Sequence, residues 1–293
     1  MKFSEAKSYD DVIKSLLDIN QLKHEYYHYT SISCYENMIR SNKIELTRGN
    51  SLSLNDLLEK FKCADESIWK RLYIACFTYE RDESIALWQC YGRPLAQAIR
   101  IELDGNNIAE ISQRKEQNIY KVNIEDKNNR YDLLNGIEFE DICFTGVSYW
   151  EYRTKSPFLY FKGQYLQSSK EFNIDYSYTA QSMVGKLKNI AWKHEKEFRI
   201  LAILPQGLEE YPDRIAIEAK GLWSNPKQIL CGPCMDKNVL KTKFPQLNIL
   251  DSEVKFWVNI EKECVYCEKM HALCNKKSNE KTNDIHKSFG VLG

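Results

Sequence analysis

The sequence has no excess of charge of either sign, since 41 Lys and Arg face 41 Asp and Glu. Zero net charge gives the whole chain no electrostatic pull toward nucleic acid or an anionic membrane, although it does not exclude a local basic groove. Long apolar runs are missing too. No stretch approaches the ~18 residues of a membrane-spanning helix, and Met1-Lys2-Phe3-Ser4-Glu5 lacks the apolar core of a signal peptide, so a cytosolic protein with no membrane partner is expected. No internal repeat is found, which argues against a solenoid or propeller. What the chain does have is ten cysteines in 293 residues. In a reducing cytosol these are thiols, metal ligands or redox groups rather than disulfides, and Cys34, Cys76, Cys90 and Cys143 sit in apolar patterns that predict core packing.

The hydrophobic spacing sets out the elements. Val12, Ile13, Leu16 and Leu17 predict an amphipathic helix over 9–20. A strand through His28 follows, then a helix capped by Ser31 or Ser33 and running to about Ser41, with Tyr35, Met38 and Ile39 inward. A short strand at 44–46 precedes a polar, turn-rich loop at 47–53. Residues 72–79 read as a buried strand, and Asp82 is placed to cap a helix over 83–91 that presents Ser84, Trp88 and Tyr91 on one face. A strand at 97–103 ends in Asp104-Gly105, a turn signal. Residues 106–140 are weakly patterned, 142–152 return to strand, 155–178 form an excursion, and Met183, Leu187 and Ile190 predict a helix over 179–194. Strands are expected at 197–204, 214–218, 227–231 and 254–259, with a helix at 237–244 between the last two. The order predicts an α+β fold on a mostly antiparallel sheet with flanking helices. One domain spans 1–262, and a Cys/His-containing, Lys-rich tail occupies 263–293.

Two polar rows stand out. On an extended chain, alternate side chains share a face, so His28 groups with Thr30, and Glu195 with Glu197 and Arg199, while Phe198, Ile200 and Ala202 face a core. A polar row on a half-buried strand suggests a cleft, against the plainer reading of a solvated sheet face. Tyr27-His28-Tyr29-Thr30, then Ala75-Cys76-Phe77-Thr78 followed by Ser84-Ile85-Ala86-Leu87-Trp88-Gln89-Cys90-Tyr91, then Trp192-Lys193-His194-Glu195-Lys196-Glu197-Phe198-Arg199-Ile200 occur in that order. Together with Ile229-Leu230-Cys231-Gly232-Pro233 they resemble, over about 25–235, a bacterial domain family of unknown function met in phage-defence and abortive-infection settings.

More loosely, an early strand with His, a central aromatic and a late strand with Glu look like the histidine-tyrosine-glutamate pattern of ADP-ribosyltransferases. That resemblance implies a split sheet with NAD in its cleft. It implies that His28 bonds a ribose hydroxyl, the backbone beside Tyr29 holds the nicotinamide amide, and Trp88 or Tyr91 stacks on the ring. Thr30 and Ser84 complete the cofactor-binding set. Glu197 would bind the nicotinamide-ribose 2′-hydroxyl and stabilise the cationic sugar, flanked by Glu195 and Arg199; Glu195 competes for that role. The implied activity is ADP-ribosyl transfer to a protein or nucleic-acid acceptor, or NAD hydrolysis, by a defence or toxin effector with a regulatory or inhibitor partner. The alternative is a catalytically silent nucleotide- or nucleic-acid-binding module, with Lys62, Lys70, Arg71 and Arg93 lining a groove.

Two cysteine groups point elsewhere. Cys231-Gly232-Pro233-Cys234 has thioredoxin-like spacing before a helix, without an upstream parallel βαβ context. Cys264, Cys267, His271 and Cys274 are soft donors spaced to close a structural zinc site, and Cys231 and Cys234 could instead join Cys264 and Cys267.

Overall fold

The computed structural model describes residues 22–50, 67–126, 129–150 and 184–254. The helix expected over 9–20, the excursion at 155–178, Lys62, and the tail with Cys264, Cys267, His271 and Cys274 lie outside the described residues.

The fold is mixed α+β, and nearly all of its strand pairs are antiparallel. Strand β1 (Glu25–Ser31) leads into helix α1 (Ile32–Ser41), whose N-cap Ser31 accepts from the Cys34 amide; Tyr35 is fully buried beneath it. Strands β2 (Lys43–Arg48) and β3 (Leu72–Thr78) follow, with the short helix α2 (Ser67–Arg71) between them. Helix α3 spans Ile85–Tyr91 and is capped by Ser84, which accepts from the Leu87 amide, rather than by Asp82. Strand β4 (Ala98–Asp104) does not end in a hairpin: Asp104 caps helix α4 (Gly105–Ser112). A glycine is required at 105, because a Cβ there would lie 2.1 Å from the Lys23 carbonyl oxygen.

The stretch read as weakly patterned also contains β5 (Ile119–Val122) and β6 (Tyr131–Leu133), before β7 (Asp141–Gly146) and β8 (Ser148–Trp150). The helix expected over 179–194 is corrected in its described part. Leu187–Asn189 is a strand, β9, parallel to β8, and Ile190–Glu195 is a 3₁₀ helix. Strand β10 (Glu197–Ile203), β11 (Arg214–Glu218), β12 (Gln228–Cys231), helix α5 (Lys237–Lys243) and β13 (Ile249–Asp251) complete the described chain.

The feature that makes the site is a fork. One edge of β3 pairs with β10 along its whole length, from Glu197↔Thr78 to Ile203↔Leu72. The other edge is shared. β1 meets it at Tyr27↔Thr78, and β2 meets it at Thr47↔Ile74 and Arg48↔Tyr73. From there β1 leads to β4, β12 and β13, and β2 leads to β11, β5 and β6, so two arms diverge from one strand. The main core lies on one face, where Tyr26, Phe77, Ile99, Ile101, Phe198, Ile200 and Ile217 pack with α1 and α4 residues. The opposite face carries a smaller cluster of Tyr29, Leu87, Trp88, Ala98 and Leu230 under α3. Among the described residues no helix is long and apolar enough to cross a membrane.

Candidate functional site

Between the arms of the fork lies a cavity of about 380 Å³, within the usual size of a small-molecule site. β1 contributes Tyr27 to Thr30, and the edge of β3 contributes Ile74 to Thr78. β2 and β11 form a second wall with Lys43, Glu45, Thr47 and Arg214, while Tyr91, Glu195 and Glu197 form the floor.

The fork explains His28. Where β1 and β2 separate, the Cys76 carbonyl of β3 needs another donor, and His28 Nδ1 lies 3.3 Å from it. A carbonyl oxygen can only accept, so Nδ1 carries the proton and, in the neutral ring, Nε2 is an acceptor. Burial lowers the His28 pKa, opposed by that carbonyl, so the ring is neutral at pH 7. Its ring packs at 5.7 Å from both Phe77 and Trp223 on the core side.

The floor is a compact ionic cluster. Glu197 and Arg199 project from the same side of β10, opposite Thr78 and Cys76. Arg199 is 1% exposed and forks onto Glu197, with Nε to Oε1 and Nη2 to Oε2 both at 2.9 Å, while its Nη1 donates to the Gly185 carbonyl at 2.8 Å. Lys188 from β9, also buried, bridges the two carboxylates, 2.5 Å from Glu195 Oε2 and 3.0 Å from Glu197 Oε2. Tyr91 donates to Glu195 Oε1 at 2.7 Å, and the Glu197 amide donates to the Tyr149 hydroxyl at 2.8 Å. Burial alone would raise the Glu197 pKa, but the charges of Arg199 and Lys188 and bonds from Arg199 and the Cys76 thiol outweigh it and hold the group at about 2. Although Cys76 opens onto the cavity, the poorly solvated floor around its sulfur, and then the Glu197 carboxylate, push its thiol well up. The floor therefore presents a fixed carboxylate, neutral thiol and neutral phenol at pH 7.

Several residues sit differently from their sequence reading. Glu195 is not on the strand: it ends the 3₁₀ helix, and Lys196 turns the chain through a left-handed conformation (φ 41°) that returns both carboxylates to one side. Glu195 and Arg199 both have buried partners, Lys188 and Tyr91 for the first and Glu197 for the second. His28 and Glu197 line the same cavity from different faces of the sheet, because the fork opens through the sheet itself. Tyr29, Thr30 and Tyr91 line it as well. Trp88 does not: it is fully buried, 4.7 Å edge-on to Tyr29, with its indole N–H on Glu83 at 3.0 Å. Ser84 is spent on the α3 cap.

The cysteines expected in the core are mostly outside it. Cys34, Cys76 and Cys90 are exposed, Cys143 is half-buried, and both Cys34 and Cys76 border the cavity. Cys231 is buried and its thiol is pushed up to about 11, chiefly by burial, the reverse of an activated thioredoxin thiolate. Arg71 does not line the cavity, being buried and ion-paired with Glu140, while Lys70 and Arg93 are exposed and also lie outside it. Lys188, Cys76 and the β2–β11 wall were missed by sequence reasoning. Only the strand register, Cys76 opposite Arg199, could have pointed to any of them. No family model matches the chain, and no curated protein matches it.

Proposed function

We propose that this cavity binds NAD and breaks its bond to nicotinamide, passing ADP-ribose to a macromolecular acceptor or to water, as a bacterial defence or toxin effector of ADP-ribosyltransferase-like architecture. The observation that carries the reading is the pair of buried carboxylates, Glu195 and Glu197, on the floor of a cavity that also receives His28 and Tyr91. In such a reaction the C–N bond electrons leave with nicotinamide, positive charge grows on the ribose, and an acceptor hydroxyl or water then bonds to the sugar carbon and loses its proton. A carboxylate already ionised and fixed by Arg199 stabilises that charge without reorganising. The neutral His28 ring offers Nε2 to a ribose hydroxyl, and Tyr91 is the aromatic group suited to lie against nicotinamide. The forked sheet supports the resemblance to a split-sheet transferase.

A second reading, a silent nucleotide- or nucleic-acid-binding module, is favoured by one observation. Glu197 already accepts from Arg199, Lys188 and Cys76, which uses most of the lone pairs of a carboxylate. Incubating purified protein with NAD, with and without bacterial lysate, and following free nicotinamide decides between them. Release by wild type and not by Glu197→Gln is expected, and stimulation by lysate assigns transfer over hydrolysis. No release from the full-length protein in either condition favours the binding module.

A further inference from the structure

The floor and the β2–β11 wall of the cavity differ in charge. On the floor, Glu195 and Glu197 are balanced by Lys188 and Arg199. On the wall, Lys43, Arg130 and Arg214 face one cavity-lining carboxylate, Glu45, a surplus of two positive charges. Glu45 is already committed: Arg130 donates to it through Nε at 3.0 Å and Nη2 at 2.8 Å, and the Tyr131 hydroxyl adds a bond at 2.8 Å. Arg214 stands 3.7 Å from Glu45, beyond hydrogen-bond reach, and its side chain is 38% exposed. Lys43 rests its ammonium 3.7 Å from the centre of the Tyr120 ring and, among the described residues, forms no ion pair. Glu218, opposite Lys43 across the sheet, accepts from Tyr120 and Asn118 and does not line the cavity.

We propose that this wall is an anion subsite that takes the diphosphate of a nucleotide ligand, with Arg214 and Lys43 as its donors and Arg130 locked in place by Glu45. An arginine presents a planar fork suited to phosphate oxygens, and a lysine anchored on an aromatic face adds a second cation with little motion left to lose. The cavity is then polarised, taking the anionic part of a ligand on the wall and positive charge developing in the substrate at the Glu197 carboxylate. The assignment deepens the NAD reading and rests on it for the identity of the ligand, but the anion site itself is testable without turnover.

The test is calorimetric titration of the full-length protein with inorganic pyrophosphate and with ADP-ribose, at low and raised salt. Wild type should bind both, more weakly as salt rises. Arg214→Gln and Lys43→Gln should each weaken pyrophosphate binding by about tenfold. Arg93→Gln, outside the cavity, should leave it unchanged. Lys43→Arg should recover most of the affinity and Arg214→Lys only part of it, and an unchanged urea midpoint in the Gln variants shows that they fold. Absence of pyrophosphate binding by wild type, or equal binding by folded Gln variants, overturns the subsite. Pyrophosphate bound through Arg214 and Lys43 with no nicotinamide released would keep the subsite and remove glycosyl transfer. Nicotinamide release with KM unmoved in both Gln variants would do the reverse.

Discussion

The two sides of the cavity are built from the same kinds of charge in opposite ways. On the floor, Glu197 and Arg199 are adjacent on one strand, both almost fully buried, and every charge is met by another. On the wall, Arg130, Arg214 and Glu45 come from three separate segments, their side chains are 25–38% exposed, and cation outnumbers anion. A charge out of water must be paired, and once paired it is rigid and keeps its ionisation; a charge at a cavity mouth is screened, can stay in surplus and is available to a ligand. The floor is preorganised, and the wall is receptive.

The largest loss is expected at Arg199. Arg199→Met would leave Glu197 buried with one cation fewer, and a loss of about 3–5 kcal/mol is expected in urea unfolding at pH 7. A loss below about 1 kcal/mol would mean that the floor behaves like a surface pair.

Acid provides the next test. Glu197 is held at about 2 when folded against an ordinary 4.5. A carboxylate with a depressed folded pKa contributes stability that is complete above the unfolded value and lost as pH falls through the folded one. Unfolding free energy should therefore fall between about pH 4.5 and pH 2. Glu197→Gln should flatten that part of the profile, and an unchanged slope would show that Glu197 is not the group titrating.

The smallest effect is expected on the wall. Glu45→Gln removes the partner of Arg130 and Arg214 at a half-exposed position, so stability should change by less than about 1 kcal/mol. Pyrophosphate binding should tighten, because the cationic surplus grows from two to three. Weaker binding in a folded variant would show that Glu45 serves the site mainly by holding Arg130 in position.

Much of the fold was legible where local pattern and tertiary environment agree. The alternation in β10 and the apolar run of β3 were readable because one face or both faces of each strand bury side chains, and Ser31 was readable as a cap from its place before an amphipathic helix. Asp104-Gly105 misled because the features of a turn also start a helix: a capping carboxylate and a residue without Cβ. Leu187 and Ile190 have helical spacing, yet pairing with β8 makes the first part of that segment a strand. β5 and β6 escaped notice because they are short strands on the outer part of one arm, with few buried positions to create a pattern.

The site was legible as a set of strands but not as a chemistry. His28, Glu195, Glu197 and Arg199 were found because each belongs to a local motif. Lys188 was not, since a lysine between Leu187 and Asn189 carries no mark of burial; only two carboxylates arriving from beyond the next turn make it a buried cation. Arg214 and Lys43 come together through the non-local pairing of β2 with β11, which no window of sequence contains. Cys76 reads as core because its neighbours are apolar, although the fork leaves its side open to the cavity.

In the proposed reaction Glu197 acts on bound NAD without being needed to bind it, and measuring two quantities on one variant separates these roles. Glu197→Gln should bind a non-hydrolysable carbocyclic NAD analogue with a Kd close to that of wild type, while nicotinamide release falls by about a hundredfold or more. Release at the wild-type rate from this variant would remove Glu197 from the reaction.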